Sequence, residues 1–141
     1  MPVEILQTQK LLASCEAALA ERYTVHKLHE AADRDELLSR VGPTVRGIAG
    51  AQVSAALMDR LPALEIVANF GVGYDGVDAR YAGANGIIVT NTPDVLTEEV
   101  ADTALGLLIA AVRELPQAEA WLRAGNWAAR GNYRLSPLSL R

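Results

Sequence analysis

The chain has 141 residues, a net charge of −4 and an apolar fraction of 50% with few aromatic residues. This length predicts one ordinary hydrophobic core, and the aliphatic composition favours helices packed on a sheet over a β-sandwich. The sequence has no basic cluster of the kind that would indicate a nucleic-acid partner. The single cysteine, Cys15, excludes an internal disulfide and a Cys-rich metal site. Without a long apolar run or a signal-peptide pattern, we expect a cytoplasmic protein that does not bind membranes.

Strand and helix patterns alternate through the first 90 residues. Apolar runs predict strands, and amphipathic stretches between them predict helices whose N-caps are Asp33, Ser54 and Asp78. The predicted strands cover residues 3–6, 23–28, 45–50, 64–70 and 87–90, and the helices begin near residues 11, 34, 55 and 79. Alternation at this interval indicates βαβ units and a parallel sheet with helices on both faces.

A glycine-rich stretch, residues 70–76, follows the fourth predicted strand, and we call it the glycine loop. Gly71 and Gly73 lack a Cβ, so we expect positive φ angles there and several backbone N–H groups directed at one point, which attracts an anion. Gly71, Gly73 and Gly76 also match the G-x-G-x-x-G dinucleotide fingerprint. The short interval before the next turn disfavours a crossover helix and hence that interpretation. A tight turn without a ligand is the other alternative.

The third predicted strand ends in small residues next to Ala51 and Gln52. Ligands of parallel sheets bind beyond the carboxyl ends of the strands, so we expect these residues and Tyr74 on one rim. Cys15 lies in an apolar helical pattern, which favours a buried, inert thiol. His26 and His29 have no third ligand nearby, so we predict surface histidines and no metal site.

The character of the sequence changes after residue 96. Thr97 is a plausible N-cap of a long helix that is apolar nearly all round, which predicts burial against more than one neighbour, in a missing domain or a partner subunit. A further helix is predicted from Pro116 to a stop at Gly125. The tail, residues 126–141, shows no helical or strand period, and we interpret it as an interaction segment because of its apolar side chains, Trp127, Tyr133, Leu135 and Leu138.

Three motifs resemble the D-isomer-specific 2-hydroxyacid dehydrogenases, near their glyoxylate/hydroxypyruvate reductase branch. The resemblance is dense from about residue 61 to residue 127 and loose before that. The motifs are Asn69-Phe70-Gly71-Val72-Gly73-Tyr74-Asp75-Gly76-Val77-Asp78, Gly86-Ile87-Ile88-Val89-Thr90-Asn91-Thr92-Pro93-Asp94-Val95-Leu96-Thr97 and Glu99-Val100-Ala101-Asp102-Thr103-Ala104.

The resemblance implies a flavodoxin-like doubly wound domain at residues 1–96, followed by a long interdomain helix and the start of a nucleotide-binding domain at residues 97–141. It implies that the amides of Val72 and Gly73 hold a substrate carboxylate in a site that includes Gly71, with Tyr74 and Asp75 shaping the turn. Val100 would contact the nicotinamide of NAD or NADP, and the tail would cross a homodimer. The catalytic residues of the family have no counterpart in this chain, so the resemblance implies a portion that is inactive alone.

Two other functions stay open at this point. The same loop suits a free-standing small-carboxylate sensor or regulatory module. A receiver-like or flavin-binding domain would need a phosphate loop or a phosphorylation site after the first strand, and residues 7–10 match neither convincingly.

Overall fold

The structure, a computed structural model, describes residues 2–134 and 136–140. The chain divides into two compact units between Val95 and Leu96, and each unit is described by itself. The predicted domain boundary, after residue 96, stays a prediction about the complete protein. No helix in the described ranges is long and apolar enough to cross a membrane.

The first unit is a five-stranded parallel sheet in the order β2-β1-β3-β4-β5. This order confirms the flavodoxin-like doubly wound fold, and it places the topological switch point between β1 and β3. The elements are β1 Glu4–Gln7, α1 Ala13–Arg22, β2 Thr24–Lys27, a 3-10 helix at Leu28–Glu30, α2 Arg34–Val41, β3 Val45–Gly50, α3 Ala55–Met58, β4 Ile66–Asn69, α4 Ala79–Ala84 and β5 Ile88–Thr90.

One face of this sheet carries the hydrophobic core. Leu6, Ile48 and Val67 lie side by side across β1, β3 and β4, and all three are fully or almost fully buried. The helices α2, α3 and α4 cover this row with the buried side chains Leu38, Val41, Met58 and Ala82. The period-two alternation of the strands therefore fixes which side chains form the core.

The opposite face is covered over β1 and β3 and open over β4 and β5. Ile5 and Gly47 are buried, whereas Ile66, next in the same row, is exposed and Ile88 at the edge is 60% exposed. An open groove of about 470 Å³ runs along this face between α1 and the ends of the strands. Among the described helices of this unit, only α1 borders that groove.

Three of the four helix starts predicted in the first unit are confirmed by their caps, whereas α1 begins at Ala13, after Leu12, without a side-chain cap. Asp33 accepts hydrogen bonds from the N–H groups of Asp35 and Glu36, Ser54 accepts one from Leu57, and Asp78 accepts one from Tyr81. A short polar side chain at each position satisfies N–H groups that a helix leaves unpaired in its first turn.

The second unit contains three helices in its described part, α5 Thr97–Val112, α6 Leu115–Arg123 and α7 Asn126–Arg130. The predicted cap at Thr97 is wrong, because Thr97 is already helical and Leu96 precedes the helix without a side-chain cap. The prediction of a wholly irregular tail is also wrong. Gly125, with φ 72°, ends α6 as predicted and lets α7 begin directly after it.

The apolar face of α5 is exposed in this unit, so its predicted burial against a missing domain or a partner subunit stays a prediction. No residue of α5 is buried, and Leu107 is 66% exposed. Beyond α7, Tyr133 packs edge-on against Trp121, and its hydroxyl donates to Glu114 at 2.9 Å. That hydrogen bond, the largest cause, raises the pKa of Tyr133. Leu135 lies outside the described residues.

Candidate functional site

The glycine loop lies at the carboxyl end of β4 and is hydrogen-bonded to both neighbouring strand ends. The N–H of Phe70 donates to the carbonyl of Gly50 at the end of β3, at 2.9 Å. From the other side, the N–H of Thr92, after β5, donates to the carbonyl of Gly71 at 2.9 Å. The loop is therefore anchored on each flank to the rim on which parallel sheets bind their ligands.

A second set of contacts joins this loop to the segment after β3. Val53 and Val77 form an isolated parallel bridge, with the N–H of Val53 donating to the carbonyl of Gly76 at 2.8 Å. The side chain of Gln52 lies so close to Gly76 that a Cβ on that glycine would be 2.7 Å from Gln52 Nε2. Gln52 itself has φ 59°, in the left-handed region. The structure thus brings Gln52 to the loop, as the sequence predicted.

Thr8, which the sequence analysis did not single out, holds the neighbouring residue Ala51. Its hydroxyl donates to the carbonyl of Ala51 at 2.7 Å and accepts from the N–H of Ala51 at 3.1 Å. Thr8 follows β1 directly, so this pair of bonds spans the switch point between β1 and β3. A polar residue immediately after a strand is the signal that could have identified it.

The end of β1 is fixed by a polar cluster under α1. The fully buried Gln7 donates from Nε2 to Glu16 at 2.8 Å, and Lys27 donates to the other carboxylate oxygen at 3.1 Å. These bonds, with that from Gln7 the largest cause and one from the N–H of Leu11 the next, lower the pKa of Glu16 to about 2. Glu16 stays ionised near neutral pH and ties α1 to the strand that carries Thr8.

The glycines of the loop do not have the conformations that the sequence predicted. The positive-φ residues of the described chain include Gly50, at 143°, and Gln52, but neither Gly71 nor Gly73. The positive φ angles near the site therefore lie at the end of β3 and just after it, and not in the glycine loop. The reason is that side-chain hydrogen bonds, rather than a left-handed turn, set the course of the loop.

Polarity within the loop is asymmetric. The carbonyl oxygens of Gly71, Val72 and Gly73 all accept hydrogen bonds. Within residues 2–134 and 136–140, no hydrogen bond takes up the N–H groups of Val72, Gly73 or Tyr74. Val72 and Tyr74 are about half exposed, and Gly73 is exposed. A row of free N–H donors with occupied carbonyls suits an anionic ligand.

No basic side chain of the described residues bonds to this loop. Among the described residues, the arginines and the lysine that form ion pairs bind Glu or Asp, and Arg113 donates to the carbonyl of Leu138. The acidic Asp75 lies beside Gly73, where a Cβ on the glycine would be 2.9 Å from Asp75 Oδ2. At this loop, the described residues of the first unit provide backbone N–H donors for an anion. No Lys or Arg side chain among them is hydrogen-bonded to the loop.

The glycine loop lacks the helix that a dinucleotide fingerprint requires. Gly71, Gly73 and Gly76 have the fingerprint spacing, but the helix that follows is only the six-residue α4. Between the loop and that helix, Val77 pairs with Val53 in the isolated bridge, and the N–H of Asp78 donates to the carbonyl of Val53. Val100, the predicted nicotinamide contact, is 60% exposed on α5 in the second unit. Its role stays a prediction.

The remaining candidates contribute no further site. His26 and His29 are half-buried rather than at the surface, and His26 is paired with Glu4 at 2.9 Å. Cys15 is half-buried, less than the sequence predicted. No group of three metal-binding side chains is present in the part of the chain that the structure describes.

Comparison with known proteins identifies a family. The profile of the D-isomer specific 2-hydroxyacid dehydrogenase catalytic domain matches residues 5–133. Glyoxylate/hydroxypyruvate reductase A of Arabidopsis thaliana is 35% identical over 137 residues, which are 95% of this chain and 44% of that protein.

Solved structures agree with that match. The NADPH-dependent glyoxylate/hydroxypyruvate reductase of Sinorhizobium meliloti, solved with NADP and malonate, is 52% identical and has a TM-score of 0.81 over 99% of this chain and 43% of its own. A 2-hydroxyacid dehydrogenase of Ketogulonicigenium vulgare is 44% identical, with a TM-score of 0.87 over 96% of this chain and 44% of its own. The chain therefore spans less than half the length of these relatives.

Proposed function

We propose, from the premise that the chain belongs to the D-isomer specific 2-hydroxyacid dehydrogenase family, that it forms the substrate-binding part of an NAD(P)-dependent oxidoreductase. The complete enzyme would interconvert 2-oxo acids of the glyoxylate or hydroxypyruvate type and D-2-hydroxy acids. Relatives that carry these names support the substrate class. Hydride transfer would be supplied by the nicotinamide, whose main binding site would lie in the nucleotide-binding domain.

The observation that carries this proposal is the set of free N–H groups at Val72 and Gly73. A carboxylate placed there would accept charge-assisted hydrogen bonds, each of which is stronger than a bond between neutral groups. The malonate in the Sinorhizobium meliloti complex shows that a reductase 52% identical to this chain was crystallised with a small carboxylate. That carboxylate supports, for this chain, the same class of ligand.

The other residues have supporting roles in this proposal. Gly71 belongs to the loop, Tyr74 and Asp75 shape it, and Ala51 and Gln52 form the adjoining rim. Val100 would face the nicotinamide, and a cationic side chain for the substrate would come from outside the first unit, since none is bonded to the loop there. Catalytic residues would likewise come from outside this chain, which makes the 141-residue chain inactive alone.

Three further expectations are part of the proposal. The units divide functionally into a substrate-binding domain, residues 1–96, and a hinge helix with the start of a nucleotide-binding domain, residues 97–141. The exposed apolar face of α5 supports a homodimer, because exposed patches of this kind mark interaction surfaces. A single cysteine, and so no internal disulfide, is consistent with the cytoplasm.

A titration of the ¹⁵N-labelled chain with oxamate, a stable 2-oxo acid analogue, tests the proposal at constant ionic strength. We expect saturable shifts of the amide signals of Val72 and Gly73, and none with acetamide, which lacks a carboxylate. Shifts confined to other residues, or equal responses to the two compounds, would contradict the assignment of the loop.

A free-standing carboxylate-binding module is the second candidate. It is favoured by one observation: every bond that anchors the loop comes from residues 50–92, within the first unit. Such a module would bind a carboxylate without any nucleotide-binding domain. Reading the coding sequence beyond residue 141 separates the two candidates, because only the reductase requires a dinucleotide site downstream.

A further inference from the structure

The glycine loop is held by two asparagine side chains that approach it from different strands. Asn69 is the last residue of β4 and only 5% exposed. Its Nδ2 donates to the carbonyl of Gly73 at 2.9 Å and to that of Gly71 at 3.3 Å. Asn91, directly after β5, donates from Nδ2 to the carbonyl of Val72 at 2.8 Å.

Because the peptide group is planar, each bond that fixes a carbonyl also fixes the direction of the N–H in the same peptide group. In a trans peptide, the carbonyl of one residue and the N–H of the next lie in one plane and point in opposite directions. A donor that holds the carbonyl of Val72 therefore aims the N–H of Gly73 away from itself. By the same geometry, the carbonyl of Gly71 sets the N–H of Val72, and the carbonyl of Gly73 sets the N–H of Tyr74.

We propose that Asn69 and Asn91 are positioning residues that aim the N–H groups of the loop at the ligand carboxylate. This inference rests on the proposed function and deepens it. Asn91 controls the N–H of Gly73. Asn69 controls the N–H of Tyr74 and, together with the backbone of Thr92, that of Val72. The N–H of Tyr74 thereby becomes a third donor for the carboxylate.

The chemistry requires a hydrogen-bond donor without negative charge at both positions. Each contact needs an N–H donor toward a carbonyl, and a carboxylate could only present lone pairs there. A negative charge at either place would also repel the anion that the loop binds. An apolar side chain of similar size removes the donor without adding charge, so Asn69→Leu and Asn91→Leu are the informative substitutions.

Amide spectra of the ligand-free chain test the positioning role directly. Asn91→Leu should shift the amide signal of Gly73 more than those of its neighbours, whereas Asn69→Leu should shift those of Tyr74 and Val72. Asn85→Leu is the matched control, because Asn85 Nδ2 also donates to a backbone carbonyl, that of Tyr81 at 2.9 Å. It should leave the loop signals unchanged.

Oxamate titration then connects position to binding. Loss of correctly aimed donors should weaken oxamate binding about tenfold in Asn91→Leu and more in Asn69→Leu, with the control as wild type. If Asn69→Leu does not fold, Asn91→Leu alone decides. Unchanged loop signals and affinity in Asn91→Leu would overturn the positioning role. A wild-type loop that does not respond to oxamate would instead overturn the proposed function. In that case the ligand-free spectra would still test whether Asn69 and Asn91 orient the N–H groups of the loop.

Discussion

Replacing Gly50 by alanine should damage the rim of the site far more than replacing Gly73, although the sequence draws attention to Gly73. Gly50 has φ 143°, a conformation that residues with a Cβ rarely adopt. A Cβ there would also lie 2.3 Å from Thr8 Oγ1. The hydroxyl of Thr8 would have to turn away and lose both of its bonds to Ala51.

The cost can be worked from these contacts. Two hydrogen bonds are worth about 1 kcal/mol each, and the backbone strain is about 1–3 kcal/mol. The stiffer unfolded chain of the variant offsets roughly 0.4–1 kcal/mol. We expect Gly50→Ala to lose about 2–5 kcal/mol of the free energy of unfolding, a large part of the ~5–15 kcal/mol usual for a domain.

Gly73→Ala is the matched comparison. Its φ is not positive, and its Cβ would meet only the carboxylate of the exposed Asp75, which can rotate away. We expect a change within about 1 kcal/mol. Urea unfolding followed by amide signals of β3 reports the first unit alone. A Gly50→Ala variant as stable as wild type, or a Gly73→Ala variant destabilised equally, would refute the reasoning.

Three further predictions follow from the same structure. The purified chain should not oxidise NADH or NADPH in the presence of glyoxylate; detectable turnover would contradict the proposal that catalytic residues lie outside it. The chain should self-associate at micromolar concentration in ultracentrifugation, and the variant Leu107→Glu should self-associate less. Leu12→Glu is the control, because Leu12 is about as exposed as Leu107. Identical profiles for the two variants would exclude α5 as the contact. Because the pKa of Glu16 is lowered from 4.5 to about 2, its contribution to stability is complete above pH 4.5 and should be lost as the pH falls toward 2. Glu16→Gln should flatten that part of the stability profile, and an unchanged urea midpoint across it in wild type would contradict the role of the bonds from Gln7 and Lys27.

The sheet and its helix starts could be predicted because their signals are local. Asp33, Ser54 and Asp78 each precede a helix and satisfy its first N–H groups, which depends only on a few adjacent residues. Thr97 failed as a cap because the same residue type also occupies the first helical turn. α7 was missed because five residues are too few to show a helical period.

The site could be predicted in position but not in construction. The glycines marked the right loop, since ligands bind at the carboxyl ends of parallel strands. The contacts that shape it join Thr8 to Ala51 and Asn91 to Val72, residues 43 and 19 positions apart. Nothing in a single sequence specifies such pairs. The sequence analysis therefore attributed the shape of the loop to glycine conformations, whereas side-chain amides hold it.

A crystal structure of this chain grown with malonate tests the central claim most directly. We expect a carboxylate of malonate with oxygens about 2.7–3.1 Å from the backbone nitrogens of Val72 and Gly73. A malonate bound elsewhere on the first unit, with both of those nitrogens facing solvent or a neighbouring protein group, would contradict it.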